Sequence, residues 1–276
     1  MQNSSFEYDR LTSQIEVALM KIDDEVLLWP DNEPDVQVED DQLDEKGWYH
    51  HVSIPKLVPF VPSPEKANGA CLLICPGGSY RILDWVSHVE RLAALFVPLG
   101  YSVVGLKYRT SSPNNDVPEL ALSDLKQALN LLGTFAEKWN IDVNKIIGLG
   151  YSAGSNLLLN YTCDSKKKEE QPSVCLNDPK ISYLALMCLW PNQRSSTDYS
   201  IEPVVENVFL CTTEEDKVGP ASFSHSIGEK MTEKGVNVTT HFFPKGGHQA
   251  LNFKENGPEV DWTPPFFQWL KDKGLD

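Results

Sequence analysis

The sequence has few features that would direct it to a membrane, a nucleic acid or a metal ion. No apolar run reaches the 18 residues that a transmembrane helix needs. Basic residues number 24 against 39 acidic ones, and residues 1–46 alone carry a net charge of −11. A chain of this charge is repelled by phosphate backbones and by anionic lipid surfaces. We therefore expect no nucleic-acid partner and no membrane partner, and the oligomeric state stays open.

Cysteine and histidine are also sparse. Six cysteines are too few for a disulfide scaffold, and no two of them have the spacing of zinc ligands. Cys163 and Cys175 flank a polar segment and are the one pair for which a disulfide is considered. We expect no metal and no other cofactor. Because the polar segment Met1–Arg10 has no apolar signal core, the expected location is cytoplasmic, or secreted if a signal has been removed.

The order of the apolar segments predicts strands that alternate with helices. The predicted strands are Ala70–Cys75, Tyr101–Leu106, Lys145–Leu149, Ile181–Leu189, Asn207–Cys211 and Val236–Phe243, and the predicted helices are Val89–Phe96, Pro118–Trp139, Ala153–Asn160, Pro220–Lys234 and Thr263–Lys273. Such a pattern indicates an α/β protein with a mostly parallel central sheet covered by helices. We predict an acidic lead-in over 1–46 and a single domain over 47–276. Segment 162–180 is expected to be a surface loop, with a lid over a site as the alternative.

One glycine-flanked serine has the pattern of a catalytic nucleophile. Gly150-Tyr151-Ser152-Ala153-Gly154 matches G-x-S-x-G, follows the apolar residues Ile146–Leu149 and precedes a helical pattern. A serine on a tight strand-to-helix turn is exposed for attack, and the helix N-terminus behind it offers N–H groups to an oxyanion. Ser152 is the candidate nucleophile. A tight turn without chemistry is the alternative.

A serine hydroxyl needs a general base, which follows the serine in the order of motifs typical of α/β-hydrolases. Three histidines qualify by position. His225 lies in a predicted helix and His241 in a predicted strand, whereas His248 follows Lys245-Gly246-Gly247 in a loop. A loop allows the imidazole to reach across to the serine, so His248 is the candidate base.

The acid is expected in the loop after the strand Asn207–Cys211. Glu214, Glu215 and Asp216 stand there in a row. The distance from the strand end and the following Val218-Gly219-Pro220 favour Asp216, with Glu215 as the second candidate.

After the nucleophile, the base and the acid, a glycine-rich turn is the candidate for the second oxyanion donor. Pro76-Gly77-Gly78-Ser79-Tyr80 follows the strand Ala70–Cys75, where α/β-hydrolases carry an oxyanion loop. Glycine allows backbone N–H groups to point at a carbonyl oxygen without steric hindrance.

With these motifs in this order, the sequence resembles the bacterial acetylxylan-esterase-like group of carbohydrate esterases, which are α/β-hydrolases. The resemblance runs from about Leu28-Trp29-Pro30 to Trp269-Leu270, and it also includes Leu106-Lys107-Tyr108-Arg109, Pro118 with Asp124, Asp142-Val143-Asn144-Lys145-Ile146 and Trp190-Pro191. It implies Ser152 as nucleophile, Asp216 as acid and His248 as base. It also implies that the N–H groups of Gly78 and Ala153 face the oxyanion.

The sequence departs from that group at several positions, which are expected to lie near the acyl and alcohol subsites. Ser79 replaces a third glycine, Ser155-Asn156 replaces Gly-His, Gln249 replaces a glycine, and Trp85-Val86-Ser87-His88-Val89 lacks a usual acidic pair. Substrate-binding candidates are Gly78, Ser79, Ala153, Tyr151 and Trp190.

The expected function is a serine esterase that hydrolyses short-chain acyl esters, acetylated carbohydrates foremost, through an acyl-enzyme. The expected partner is a small-molecule or oligosaccharide ester substrate. Residues 192–206 are too few and too polar to build a large apolar cap domain, so short acyl groups are favoured. A feruloyl or aryl esterase, with Trp85, Trp190 and Tyr151 around an aromatic pocket, is the main alternative. A peptidase or amidase and a non-catalytic binding protein of the same fold are the others.

Overall fold

The computed structural model describes residues 25–30, 42–111, 116–163, 179–201 and 205–276. Its strands are β1 (Val26–Leu27), β2 (Trp48–His50), β3 (Lys56–Phe60), β4 (Cys71–Cys75), β5 (Ile82–Asp84), β6 (Ser102–Lys107), β7 (Ile146–Tyr151), β8 (Tyr183–Met187), β9 (Asn207–Thr213) and β10 (Asn237–Phe243). Eight of them form one sheet in the order β1-β3-β6-β4-β7-β8-β9-β10, and β2 pairs with β5 in a small second sheet. From β6 to β10 the neighbours are parallel, while β3 joins β6 and β1 joins β3 in antiparallel pairs.

Helices cover both faces of the large sheet. They are α1 (Arg91–Phe96), α2 (Val117–Phe135), α3 (Ala153–Cys163), α4 (Ala221–Glu233) and α5 (Thr263–Asp272), and a π-helical turn, Val86–Glu90, leads into α1. Alternate residues of β4 enter two hydrophobic clusters, one packed with α2, α3 and α4 and the other with α1 and α5. The predicted α/β fold with a mostly parallel sheet between helices is confirmed.

Two antiparallel strands at one edge of the large sheet were not predicted. β3 contains Pro59, which lacks a backbone N–H group and is disfavoured inside a sheet. Among the described residues, β1 pairs only with Lys56 and Leu57, so the part of β3 that contains Pro59 lies at the edge of the sheet, where proline is tolerated. Because proline is disfavoured in strands, Pro59 alone made this segment unlike a strand in the sequence.

Residues 25–30 pack against the domain, although the sequence predicted that the domain begins at residue 47. Leu28 is fully buried, and Trp29 Nε1 donates a hydrogen bond to Asp124 Oδ1 at 2.8 Å. The same buried carboxylate accepts from Nη2 of Arg109 at 2.6 Å. The acidic composition of the surrounding segment concealed this short apolar attachment. Residues 1–24 and 31–41 of the predicted lead-in lie outside the described residues.

Two further expectations concern segments that the structure describes only in part: the loop over 162–180 and the absence of a large cap domain in residues 192–206. Residues 164–178 lie outside the described residues, so the loop over 162–180, its alternative role as a lid and the Cys163–Cys175 disulfide stay predictions. In the described residues between β8 and β9, one short 3-10 helix forms, Ser196–Asp198. No helix of the described part of the chain is both long and apolar enough to cross a bilayer.

Candidate active site

Ser152 lies on a strained turn between β7 and α3. Its backbone φ is +51°, in the left-handed region that non-glycine residues rarely adopt. The turn needs glycine on both sides of the serine. A Cβ on Gly150 would lie 2.6 Å from the backbone of Gly154, and a Cβ on Gly154 would overlap the carbonyl oxygen of Cys75. The Ser152 N–H group donates to the carbonyl of Met187 at 3.0 Å, which ties the turn to β8.

Three predicted side chains form one hydrogen-bonded row. Ser152 Oγ lies 2.8 Å from Nε2 of His248, and Nδ1 of His248 lies 2.7 Å from Oδ2 of Asp216. Because a carboxylate only accepts hydrogen bonds, Nδ1 of His248 carries the proton and Nε2 accepts from the serine hydroxyl. The imidazole is therefore in the tautomer that can take a proton from Ser152.

The carboxylate at the end of this row is held by the backbone. The side chain of Asp216 is fully buried, and its Oδ1 accepts from the N–H groups of Val218 and Gly219, each at 2.8 Å. Glu215, the second candidate, is exposed and accepts instead from the N–H group of Gly246 at 3.1 Å. The structure thus brings Asp216, and not Glu215, to His248.

The loop before His248 is fixed to the end of β9. Thr213 Oγ1 donates to the carbonyl of Gly246 at 2.5 Å, and Gly246 has a φ of +117°, a conformation that favours glycine. The other two candidate bases lie elsewhere. His225 is 3.8 Å from Glu214, and His241 packs edge-on against Phe243.

The glycine-rich loop after β4 lies directly beside the serine. A Cβ on Gly77 would sit 3.2 Å from the Cβ of Ser152, and a Cβ on Gly78 would overlap the carbonyl of Ile82. Gly78 and Ser79 line the cavity that contains Ser152 and His248. Ala153 is the first residue of α3, where backbone N–H groups have no partner within the helix. The glycine-rich loop and the start of α3 therefore both lie beside Ser152.

His88 holds the glycine-rich loop in place, a role that no pattern in the sequence indicated. The N–H group of Gly77 donates to Nδ1 of His88 at 3.1 Å, and the carbonyl of Gly77 accepts from the N–H group of Asp84 at 3.0 Å. His88 is 3% exposed, and its ring stacks on that of Tyr151 with centroids 4.2 Å apart. Burial lowers the pKa of His88, so the ring is kept neutral and Nδ1 stays available as an acceptor.

The aromatic residues predicted near the substrate are not placed there. Tyr151 is fully buried, and Trp85 is 2% exposed and packs edge-on against Tyr49. Trp190 is half-buried against Tyr80 and does not line the cavity of Ser152. The tryptophan that does line it is Trp48. The spacing of residues along the sequence does not show which aromatic side chains are buried in the core and which line the cavity.

Ser155 and Asn156, expected near the subsites, instead brace the turn from inside. Both are fully buried. Ser155 Oγ donates to the carbonyl of Met187 at 2.8 Å. Asn156 accepts from the hydroxyl of Tyr80 at 3.1 Å and donates to the carbonyl of Trp190 at 3.0 Å. Their polar atoms are therefore engaged in the scaffold of the site.

Within the described residues, no group of three or more histidine, cysteine, aspartate or glutamate side chains could hold a metal ion.

The fold and this arrangement of serine, histidine and aspartate define the class of α/β-hydrolases. A model of the BD-FAE family matches residues 60–207, more than half of the chain. The chain therefore belongs to the BD-FAE family, an esterase family of the α/β-hydrolase fold.

The chain is similar to several proteins that are named as hydrolases. The chain is 29% identical over 224 residues to endo-1,4-beta-xylanase B of Butyrivibrio fibrisolvens, and the match covers 71% of this chain. It spans only 34% of the length of that relative. An acetyl ester-xyloside bifunctional hydrolase from Caldicellulosiruptor lactoaceticus superposes with a TM-score of 0.67 at 25% identity, covering 91% of this chain and 97% of that one. A carboxylesterase from Lactobacillus plantarum WCFS1, at 18% identity and a TM-score of 0.64, covers 82% and 95% and shares the fold.

Proposed function

We propose that this esterase is a serine hydrolase that removes short acyl groups, acetyl foremost, from carbohydrates through an acyl-enzyme on Ser152. The observation that carries the proposal is the unbroken row from Ser152 Oγ through His248 to the buried carboxylate of Asp216. Such a row activates a hydroxyl that is otherwise a weak nucleophile.

In the first half of the reaction, Nε2 of His248 takes the proton of Ser152 while Oγ attacks the acyl carbon. The negative charge that develops on the carbonyl oxygen faces the N–H groups of Gly78 and Ala153. When the tetrahedral intermediate collapses, the bond to the sugar oxygen breaks. The imidazolium of His248 returns its proton to that oxygen, so the sugar leaves as an alcohol.

In the second half, water replaces the alcohol. His248 takes a proton from the water, whose oxygen attacks the acyl carbon, and the bond to Ser152 Oγ breaks as the imidazolium returns the proton to that oxygen. The carboxylic acid leaves and the serine is regenerated. Asp216 stays ionised throughout, orienting the ring and stabilising the imidazolium.

Two kinds of observation support a short acyl group on a carbohydrate. The name of one relative refers to xylan hydrolysis and that of another to acetyl esters and xylosides. The cavity at Ser152 measures about 350 Å³, and both polar side chains such as Asp84 and Asn252 and apolar ones such as Ile82 line it. This volume lies near the lower end of the roughly 300–1,000 Å³ that small-molecule sites occupy, which favours a small acyl group.

The alternatives have less support. The aryl esterase depended on an aromatic pocket, and Trp85 and Tyr151 are buried away from the cavity. A non-catalytic protein would have no need of the row of hydrogen bonds at Ser152.

A comparison of substrates tests the proposal. Initial rates are measured on acetylated xylo-oligosaccharide, feruloylated arabinose, p-nitrophenyl acetate and a p-nitroanilide. We expect the two acetyl esters to be hydrolysed well, and the feruloyl ester and the anilide poorly. A preference for the feruloyl ester would establish the aryl alternative, and faster cleavage of the anilide would indicate an amidase.

A further inference from the structure

A second cavity adjoins the cavity that contains Ser152 and His248. The first measures about 350 Å³ and the second about 630 Å³. Both fall in the range of roughly 300–1,000 Å³ that small-molecule sites occupy. Trp48, Asp84, Gln249 and Asn252 line both cavities and so form their shared wall. A substrate whose ester carbonyl lies at Ser152 therefore has the second cavity directly beside it.

The shared wall joins an aromatic plane to polar groups. Trp48 on β2 lies directly opposite Asp84 on β5, and side chains opposite each other in an antiparallel pair share one face. Asn252 Nδ2 donates to Oδ2 of Asp84 at 3.3 Å. An indole ring, a carboxylate and an amide therefore lie side by side.

The backbone around Trp48 is held in place. Its N–H group donates to Oδ1 of Asp44 at 2.9 Å, and the carbonyl of Gly47 accepts from the N–H groups of Trp85 and Val86 at 3.0 and 3.1 Å. Gly47 has a φ of +80°, and a Cβ there would meet Val86 at 2.6 Å. The half-exposed indole is thus presented from a fixed position, which reduces the entropy lost when a ligand binds.

The charges around the second cavity balance. Its lining contains three basic residues, Lys46, Arg91 and Lys254, and three acidic ones, Asp84, Glu255 and Glu259. A neutral ligand suits such a lining better than a polyanion. Lys46 Nζ lies 5.0 Å from the centre of the Trp48 ring, but this lysine is exposed, so a ligand can displace it from the ring.

A neutral sugar chain has the chemistry that fits this wall. Sugar rings present C–H groups that pack on an aromatic plane and hydroxyls that bond to carboxylates and amides. We propose that the second cavity binds the sugar units next to the acylated one, with Trp48 as the platform, so that the preferred substrate is an acetylated oligosaccharide. This proposal rests on the proposed function, whose substrate it specifies further.

Hydrolysis of acetylated sugars of increasing length tests the platform. The values of kcat/KM are measured for acetylated xylose and acetylated xylotetraose, and their ratio gives the gain from chain length. We expect the tetraose to be favoured in the wild type and Trp48→Ala to lower the ratio about tenfold, equivalent to about 1.4 kcal/mol. Trp48→Phe should keep most of the gain, because it retains an aromatic plane. A ratio unchanged in Trp48→Ala would overturn the proposal.

Binding gives a second, independent measurement. Unacetylated xylotetraose is titrated into Ser152→Ala and into Ser152→Ala/Trp48→Ala by calorimetry, and the second variant should bind about tenfold more weakly. If xylotetraose binds through Trp48 but no acetylated sugar is hydrolysed, the proposed function fails and the sugar site stands. If acetylated sugars of every length are hydrolysed alike and xylotetraose does not bind, the sugar site is refuted and the proposed function stands.

Discussion

Loss of the His88 side chain should impair turnover, although this residue does not touch the substrate. His88→Leu keeps an apolar side chain of similar size but removes the acceptor for the N–H group of Gly77, a buried hydrogen bond of 3.1 Å. An unsatisfied buried donor costs about 1–3 kcal/mol, so the loop can be expected to shift to recover a partner. Gly78, the proposed oxyanion donor, is the next residue and moves with it.

The size of the effect follows from what still holds the loop. Removing an oxyanion donor outright lowers kcat about 10²–10³-fold. In His88→Leu the donor remains, and the carbonyl of Gly77 is still bound by the N–H group of Asp84. We therefore expect kcat to fall by about 10- to 100-fold, with a smaller change in KM, because the oxyanion forms only in the transition state.

A conservative variant separates positioning from packing. In His88→Asn, the side-chain oxygen can accept from Gly77 as Nδ1 does, so this variant should recover most of kcat. Steady-state kinetics on p-nitrophenyl acetate are measured for both variants, with thermal unfolding as a control for folding. The reasoning is refuted if His88→Leu keeps more than half of the wild-type kcat, or if both variants lose kcat equally while folded.

Further predictions concern the acid of the triad, the buried His88 and the length of the acyl group. Asp216→Asn should lower kcat by several orders of magnitude and Glu215→Gln by less than about tenfold, because only Asp216 bonds His248, and a reversed ranking in steady-state kinetics would move the acid to Glu215. Burial lowers the pKa of His88; the facing Asp84 opposes this shift and His248 adds to it. Below about pH 6.5 the unfolded state therefore binds a proton on His88 that the folded state does not bind. The free energy of unfolding should fall as the pH drops from there. Denaturant unfolding between pH 5 and 8 checks this, and an unchanged pH dependence in His88→Asn would contradict it. In a p-nitrophenyl ester series from acetate to decanoate, kcat/KM should fall steeply beyond about butyrate, and an optimum at octanoate would refute the short-acyl site.

The sequence predicted the parallel part of the fold because buried parallel strands are short apolar runs. The run Cys71–Cys75 ends at Pro76-Gly77, and Ile146–Tyr151 ends at the serine turn, so both the strands and the loops after them were recognisable. The order of these loops also predicted which side chains meet at the carboxyl edge of the sheet, and Ser152, Asp216 and His248 do meet there.

What the sequence could not predict depends on contacts between distant segments. Trp29 reaches Asp124 across 95 positions of the chain, and composition cannot reveal that attachment. His88 and Tyr151 meet face to face although nothing in either local pattern indicates it. Tyr151 was expected near the substrate and Trp48 was not. Which of them is buried depends on how the helices pack on the sheet, and this packing is not visible in the local sequence.

Covalent labelling of Ser152 shows whether the acyl group passes through this serine. The protein is treated with a slow organophosphate ester, and residual activity and adduct position are followed together by peptide mass mapping. We expect one adduct per chain on the peptide that contains Ser152, activity lost in proportion to labelling, and no adduct there in His248→Ala under the same conditions. Activity that persists when Ser152 is fully labelled would show that the acyl group does not pass through this serine.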